Sequence, residues 1–147
     1  MIDKDSRLTE WERQRRESLS GLRSALDADH IDLDSDPLAF MATLDEFIAG
    51  QDFEHMDDDD WLWLHTMLAA YVAQVFLVEH HAKWDLITDE RGSNYILIVR
   101  GRDGADHFVS PMDIVYDDFG RAMPPEIPRI LAAAELAAGI GSELWEM

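Results

Sequence analysis

Carboxylates and histidines are the side chains of this sequence with the most evident chemical uses, because both can bind metal ions and transfer protons. Asp32, Asp34 and Asp36 alternate as in the first half of a calcium-binding loop. The next residue is Pro37, where that loop needs glycine, and its twelfth position holds Thr43 instead of glutamate. We therefore interpret this segment as a solvated acidic loop that caps the following helix.

The histidines lack the spacing of a helical zinc pair. His80 and His81 are adjacent at the end of a predicted helix, and we attribute both to the negative end of the helix dipole. His65 lies in an apolar helical stretch and is interpreted as a hydrogen-bonded core residue. A zinc site that combines histidines with Asp85 or Asp106 stays open as an alternative. With no cysteine in the chain, thiolate chemistry is excluded, and we predict no metal and no cofactor.

No motif for nucleophilic catalysis or phosphate binding is present in the sequence. Ser110 follows a predicted strand but lacks the G-x-S-x-G elbow, and the glycine-rich phosphate loops are missing. Carboxylate pairs are numerous, yet nothing marks one of them as buried with a raised pKa. We predict no catalytic residue and a protein that is not an enzyme. One enzyme alternative remains, a site without a motif near Arg102, Asp106 and His107.

Charge is the strongest functional signal of the sequence. The chain has 31 acidic and 12 basic side chains, a net charge of −19, which disfavours nucleic acid and anionic membranes as partners. Residues 27–60 hold thirteen acids and no lysine or arginine. Aromatic side chains interleaved with acids suit a protein interface, so we predict a partner-binding site there. Its residues are Asp52, Glu54, Asp57, Asp58, Asp59 and Asp60, with Trp61 or Trp63 as the anchor.

The first helix is predicted within residues 1–26, with Ser6 and Thr9 as candidate caps. Its basic run, RQRR, is predicted to lie on the outer face, and a polar gap leaves the first turns free to project from the domain. We interpret it as a solvated helix with ion pairs such as Glu12–Arg16. The alternative is that its arginines pair with the acidic segment of this chain or of a second copy.

The other elements follow from hydrophobic periodicity. A second helix runs from Pro37 to Gly50, and a third, Asp58 to His81, is apolar on most faces and should be the central core helix. The period then changes to two, which predicts a three-stranded antiparallel meander. Its strands are 84–88, 95–100 and 107–110, with a turn at 89–94 and a hairpin at 101–104. Two C-terminal helices follow, 111–120 and 126–138, and 142–147 is predicted to be a flexible tail.

These elements predict one α+β domain over residues 1–147: N-terminal helices, a long central helix, the meander and two C-terminal helices that cover one sheet face. The length of 147 residues with 47% hydrophobic content agrees with a single core. The N-terminal segment has no apolar h-region, so we expect no signal peptide and a cytoplasmic protein. The apolar stretch 61–78 carries polar residues and is interpreted as a buried helix instead of a membrane span.

The order of residues from Asp60 onward resembles a group of small bacterial α+β domains. A long helix, DWLWLHTMLAAYVAQVFLVEHHAKWDL, leads to a strand that begins with a tryptophan, a GRDG hairpin and the helix start SPMDIV. The resemblance covers residues 38–138 and extends to immunity proteins encoded beside polymorphic toxins. Such proteins are often small, acidic and cytoplasmic, and they neutralise basic nuclease toxins by covering the active site. The resemblance carries no residue roles over to this chain.

We therefore expect a non-enzymatic acidic binding protein, most concretely an immunity- or antitoxin-like inhibitor of a basic protein partner such as a toxin. The first alternative is an acidic secretion or assembly chaperone, which would dimerise through its sheet or a long helix and bind an unfolded segment. A protein that mimics nucleic-acid phosphate is another alternative, and the acidic surface could also serve solubility alone. The sequence leaves the oligomeric state open between monomer and homodimer.

Overall fold

The computed structural model describes residues 4–90 and 92–140, without the side chain of Asp89. It confirms the α+β class: five α-helices and an antiparallel sheet in the order β1-β2-β3 are present among the described residues. The helices are α1 Lys4–Ala25, α2 Met41–Ala49, α3 Asp58–Glu79, α4 Pro111–Arg121 and α5 Ile127–Ala137. The strands are β1 Lys83–Asp89, β2 Gly92–Arg100 and β3 Asp106–Val109. The predicted tail, 142–147, lies outside the described residues.

Helix α3 is the centre of the core, as its apolar composition predicts. Half of its 22 residues are buried, and Leu68, Tyr71, Val72 and Phe76 are fully enclosed. Among the described residues it is also the one helix long and apolar enough to cross a membrane. However, 61% of its most apolar window is buried in the structure, which is typical of a core helix.

Helix α1 differs from its prediction at its beginning. The helix starts at Lys4, so Ser6 and Thr9 lie inside it and do not cap it, and the Thr9 hydroxyl donates to the Asp5 carbonyl at 2.9 Å. Lys4 forms an ion pair with Asp85 on β1, and the Trp11 ring stacks on Tyr95 of β2 at 4.4 Å. The first turns therefore lie against the sheet, and the prediction that they project is wrong.

The basic run of α1 is not entirely on the outer face, as had been predicted. Arg15 is 3% exposed and donates to Gln74 Oε1 at 2.9 Å and to the Ala70 carbonyl at 3.3 Å, both on α3. The other guanidinium nitrogens of Arg15 donate hydrogen bonds to the Glu12 carboxylate, which also accepts a hydrogen bond from the indole N–H of Trp84 on β1. A buried charge needs such partners, and here they join α1 to the core helix.

The sheet has one face on the helices and one face away from them. Strand pairing aligns Trp84, Leu97 and Val109 in one row, and all three pack into or against the core. The β1–β2 pairing continues to Asp89 and Gly92, so the turn is shorter than the predicted 89–94. Gly92 has a φ of 112°, which a residue with a side chain rarely adopts.

The remaining helices begin in three different ways. A 3₁₀ turn, Pro37–Phe40, precedes α2, and Asp36 does not cap it with its side chain. On α4, Ser110 accepts a hydrogen bond from the Asp113 N–H. The first N–H of α5, on Ile127, donates to Asp45 of α2 at 2.9 Å. This long-range cap cannot be read from local sequence.

Candidate functional site

The predicted partner-binding acids lie before and within the first turn of α3, and two of them stabilise the helix start. Asp57 is the N-cap, and its carboxylate accepts the Asp60 N–H at 2.9 Å. The Asp60 carboxylate in turn accepts the Asp57 N–H at 3.3 Å, which completes a capping box. Asp57 and Asp60 therefore satisfy backbone donors that would otherwise lack partners.

Three other acids of this group are exposed and face solvent without a partner. Asp58 and Asp59 form no hydrogen bond or ion pair within the described part of the chain, and neither does Glu54 in the 3₁₀ turn Phe53–His55. Asp52 is engaged by His55, 2.7 Å away. Because these carboxylates are not neutralised within the chain, their negative potential can attract an oppositely charged molecule.

The two predicted tryptophan anchors occupy different surroundings. Trp61 is half-buried between Phe53 and Phe119, with ring centroids 5.8 and 5.4 Å away, so it packs against the core. Trp63 is 46% exposed and touches Phe47 of α2 with only one edge. Of the two, Trp63 has the surface that a partner can cover.

The structure adds Leu62, which the sequence reasoning did not select. Leu62 is 60% exposed and lies between Trp61 and Trp63 in the first turns of α3. Leu62 does not lie on the helical stripe formed by the buried residues Leu64, Leu68 and Tyr71. Its exposure could have been inferred from this spacing in the sequence. One turn further, the His65 ring lies 6.1 Å from Tyr116 of α4, which is 68% exposed.

We call the group formed by Glu54, Asp58, Asp59, Leu62 and Trp63 the acidic aromatic surface. It combines two exposed apolar side chains with three unpaired carboxylates. This composition matches the centre and rim of a protein interface, in which apolar anchors are surrounded by charge. No family model, curated protein or solved structure matches the chain. The resemblance to immunity proteins therefore stays a prediction.

The first half of the acidic segment is neutralised in part by α1. Arg16 donates to Asp34 at 2.6 Å, and Arg23 donates to the Ile31 carbonyl at 2.9 Å with Asp29 nearby. The predicted Glu12–Arg16 pair is also present, at 3.9 Å. The structure therefore contains both kinds of predicted ion pair: those within α1 and those between α1 and the acidic segment of the same chain. The unpaired charge is concentrated in the second half, at the start of α3.

The Asp32–Asp36 loop is held by contacts of its own. Asp32 accepts the Asp34 N–H at 2.9 Å, and Asp34 binds Arg16. Across residues 4–90 and 92–140, no three metal-ligating side chains converge on one point. A cleft of about 400 Å³ lies beside this loop and is lined by Arg16, Ser20, Arg23 and Gln74, among others. None of the histidines considered for catalysis or metal binding lines it.

The alternative enzyme site is not assembled as its sequence spacing suggested. His107 contacts Asp103, with Nε2 3.1 Å from the nearer carboxylate oxygen. The backbone N–H of Ala105 and then His107 hold the pKa of the Asp103 carboxyl below its usual range. Asp106 lies on the opposite face of β3 and accepts a hydrogen bond from Arg100 at 3.0 Å. The strand alternation therefore separates Asp106 from His107.

The histidines of α3 have structural surroundings. His65 is half-buried with Nε2 2.6 Å from the Met112 carbonyl, which confirms its interpretation as a hydrogen-bonded histidine. His80 is the C-cap and lies with its ring edge-on to Phe76 at 4.9 Å. Burial lowers the pKa of His80, although the negative charge of Glu135 acts in the opposite direction. The interpretation of His80 through the helix dipole stays a prediction: the residue does lie at the C-cap of α3, while burial favours its neutral ring.

This lowered pKa predicts how stability responds to pH. The unfolded chain binds the His80 proton near the ordinary pKa of 6.5, and the folded chain binds it more weakly. The stabilisation is present above pH 6.5 and is lost as the pH falls from 6.5 towards the lowered folded pKa. Urea unfolding at a series of pH values should show a steeper decline in the wild type than in His80→Phe. Equal slopes for the two proteins would contradict the prediction.

Proposed function

We propose that this protein is a non-enzymatic binding protein that inhibits a basic protein partner, in the manner of an immunity protein or antitoxin. The proposal rests on one observation: the unpaired acids Asp58 and Asp59 lie one helical turn before the exposed side chains of Leu62 and Trp63 on α3. A cytoplasmic location belongs to the same proposal, because such an inhibitor meets its toxin inside the cell.

Charge supports a basic partner. Residues 45–60 carry eight acids, and none of them pairs with a lysine or arginine in the described part of the chain. A surface of that kind speeds the encounter with an oppositely charged protein by orders of magnitude at low salt. If the acids served solubility alone, they would need no aromatic neighbours, yet Trp63 and Leu62 are exposed among them.

The apolar side chains supply the part of the binding energy that salt does not screen. Trp63 and Leu62 are adjacent on α3 and point about 100° apart, so each offers its own exposed surface to a partner that covers the start of the helix. Tryptophan is the residue type most enriched among side chains that dominate binding energy. We therefore expect the acids to determine the association rate and Trp63 to determine the lifetime of the complex.

The decisive experiment compares two triple charge reversals. Glu54→Lys/Asp58→Lys/Asp59→Lys alters the acidic aromatic surface and leaves the capping box of Asp57 and Asp60 intact. The matched control, Asp5→Lys/Glu90→Lys/Asp117→Lys, changes the net charge equally at exposed positions elsewhere and leaves the ion pairs of Arg13 and Arg129 intact. Tagged wild type and both variants are incubated with a lysate of the source cells, and the retained proteins are identified.

We expect the wild type and the control to retain one basic protein at low salt and to release it at about 0.5 M salt, where charges are screened within a few ångströms. The surface variant should lose about 100-fold in affinity for the purified partner, because three attractive charges become repulsive. Equal loss in both triple variants would show a general charge effect and would contradict a specific site.

The acidic chaperone is the second candidate, and the sheet favours it. Phe108 of β3 is 61% exposed, on the face of the sheet away from the helices. A chaperone would bind an unfolded segment, so the two candidates differ in the state of the captured protein. Retention of the partner only after it has been unfolded in urea would favour the chaperone over the inhibitor.

A further inference from the structure

The face of the sheet away from the helices has apolar side chains at its centre. Strand pairing aligns Lys83, Ile98 and Phe108 in one row across the three strands. Ile96 follows on β2 and is diagonal to Ile87 on β1. Phe108 is 61% exposed, Ile87 is 37% exposed and Ile98 is half-buried, whereas Ile96 is already buried within the chain. The solvated face of an antiparallel sheet is usually polar, so an apolar centre marks a surface that another molecule covers.

The charges on this face are balanced, in contrast to the chain as a whole. Alternation along the strands places Lys83 and Arg100 on this face together with Asp85, Asp106 and the aspartate at position 89, and Lys4 of α1 reaches the face to pair with Asp85. Arg100 donates to Asp106 at 3.0 Å, and Asp85 pairs with Lys4. A face without excess negative charge stands out in a protein whose net charge is −19.

We propose that a second copy of this chain covers the sheet patch, defined as Ile87, Ile98 and Phe108, and that the two sheets pack face to face in a symmetric dimer. Two copies repel each other wherever their surfaces are acidic, so a balanced face is where they can approach. A two-fold axis places the same surface on both sides, which lets Lys83 and Arg100 of one copy face the carboxylates of the other.

A basic partner fits this patch less well than a second copy does. It would meet Lys83 and Arg100 here, whereas the start of α3 offers unpaired acids and exposed Trp63. The proposal is therefore independent of the proposed function and concerns a different surface. The chaperone candidate also expects a dimer, and for this reason the dimer is tested on purified protein with no partner present.

The two kinds of association should depend on salt in opposite directions. Apolar contact drives the dimer and the repulsion between two highly negative chains opposes it, so added salt should strengthen the dimer. Binding of a basic protein should instead weaken. Because the patch spans only three strands, the interface is small and the dimer is expected to be concentration-dependent.

The test is sedimentation equilibrium of the full chain at about 10 to 500 µM protein, in about 0.05 and about 0.5 M NaCl, a range suited to a weak interface. We expect the dissociation constant of the dimer to be lower at the higher salt concentration. Phe108→Asp should raise the dissociation constant at least about 10-fold, since it places a charge where apolar surface is buried. Leu136→Asp is the matched control, because Leu136 is 70% exposed on α5 and should leave the constant unchanged.

A second readout uses the absence of cysteine from the chain. Ile98→Cys places a single thiol on the central strand, and mild oxidation should convert it into a disulfide-linked dimer faster than Leu136→Cys. This readout does not depend on the fold of the aspartate variant. A wild type that is monomeric at all concentrations and both salts overturns the proposal. So does a dimer that weakens with salt, or equal cross-linking of the two cysteine variants.

Discussion

Arg129→Ala should lower the free energy of unfolding by about 3–5 kcal/mol, the usual cost of removing one partner of a buried ion pair. Arg129 binds Asp118 through two bonds, Nε to Oδ1 at 2.6 Å and Nη2 to Oδ2 at 2.8 Å. Asp118 is 4% exposed, so without Arg129 its carboxylate is left buried and unpaired. The same guanidinium donates to the carbonyls of Ala122 and Pro124, which fixes the connection between α4 and α5.

Urea unfolding of Arg129→Ala, Asp118→Ala and the double variant measures the interaction between Arg129 and Asp118 as a double-mutant cycle. The double variant should be less destabilised than the sum of the two single changes, because it removes both charges. Arg121→Ala serves as the control, since Arg121 is exposed at the end of the same helix, α4. Additive effects of the two single changes would show that Arg129 and Asp118 do not act as a pair.

Arg15→Ala should cost about 2–4 kcal/mol, because hydrogen bonds from a charged group are worth more than neutral ones and the stem of the side chain is packed as well. The Arg15 side chain is 1% exposed, and its guanidinium carbon lies 5.9 Å from the centre of the Trp84 ring. Its loss would leave Gln74 Oε1 without its donor at the junction of α1 and α3.

Arg13→Ala is the matched control for Arg15→Ala, with the same residue type on the same helix. Arg13 is exposed and pairs with Glu10 and Glu17 in solvent, so its replacement should change the unfolding midpoint far less than Arg15→Ala does. Arg15→Lys should be intermediate, because an ammonium keeps the charge but not the planar fork. Equal midpoints for Arg15→Ala and Arg13→Ala in urea unfolding would disprove the structural role of Arg15.

These contacts divide the ionisable side chains of the protein into two groups with different consequences. Asp57, Asp60 and Asp118 satisfy backbone or arginine donors, and their replacement should affect folding. Asp58 and Asp59 bind nothing in the described chain, so their replacement should leave folding nearly intact and affect binding. Variants at the second group therefore report on function without a stability artefact.

The sequence by itself determined the fold class and the type and order of the helices and strands. The apolar spacing in α3 and the change of period at β1 are local signals, because each can be recognised within a short window of sequence. Glycine and proline marked most of the ends correctly, including the first turn of α4 at Pro111. The acidic character of the α3 start was also visible, since composition needs no coordinates.

The tertiary structure alone decided which charged and aromatic residues are available to a partner. Arginines of the same helix lie in different surroundings: Arg15 is buried and Arg13 is exposed, because α1 packs against α3 along one stripe only. Trp61 and Trp63 are separated in the same way, since residues two apart on a helix are rotated by about 200° and point to nearly opposite sides, of which only one meets Phe119. Contacts between distant segments fix that stripe, and no local pattern encodes them.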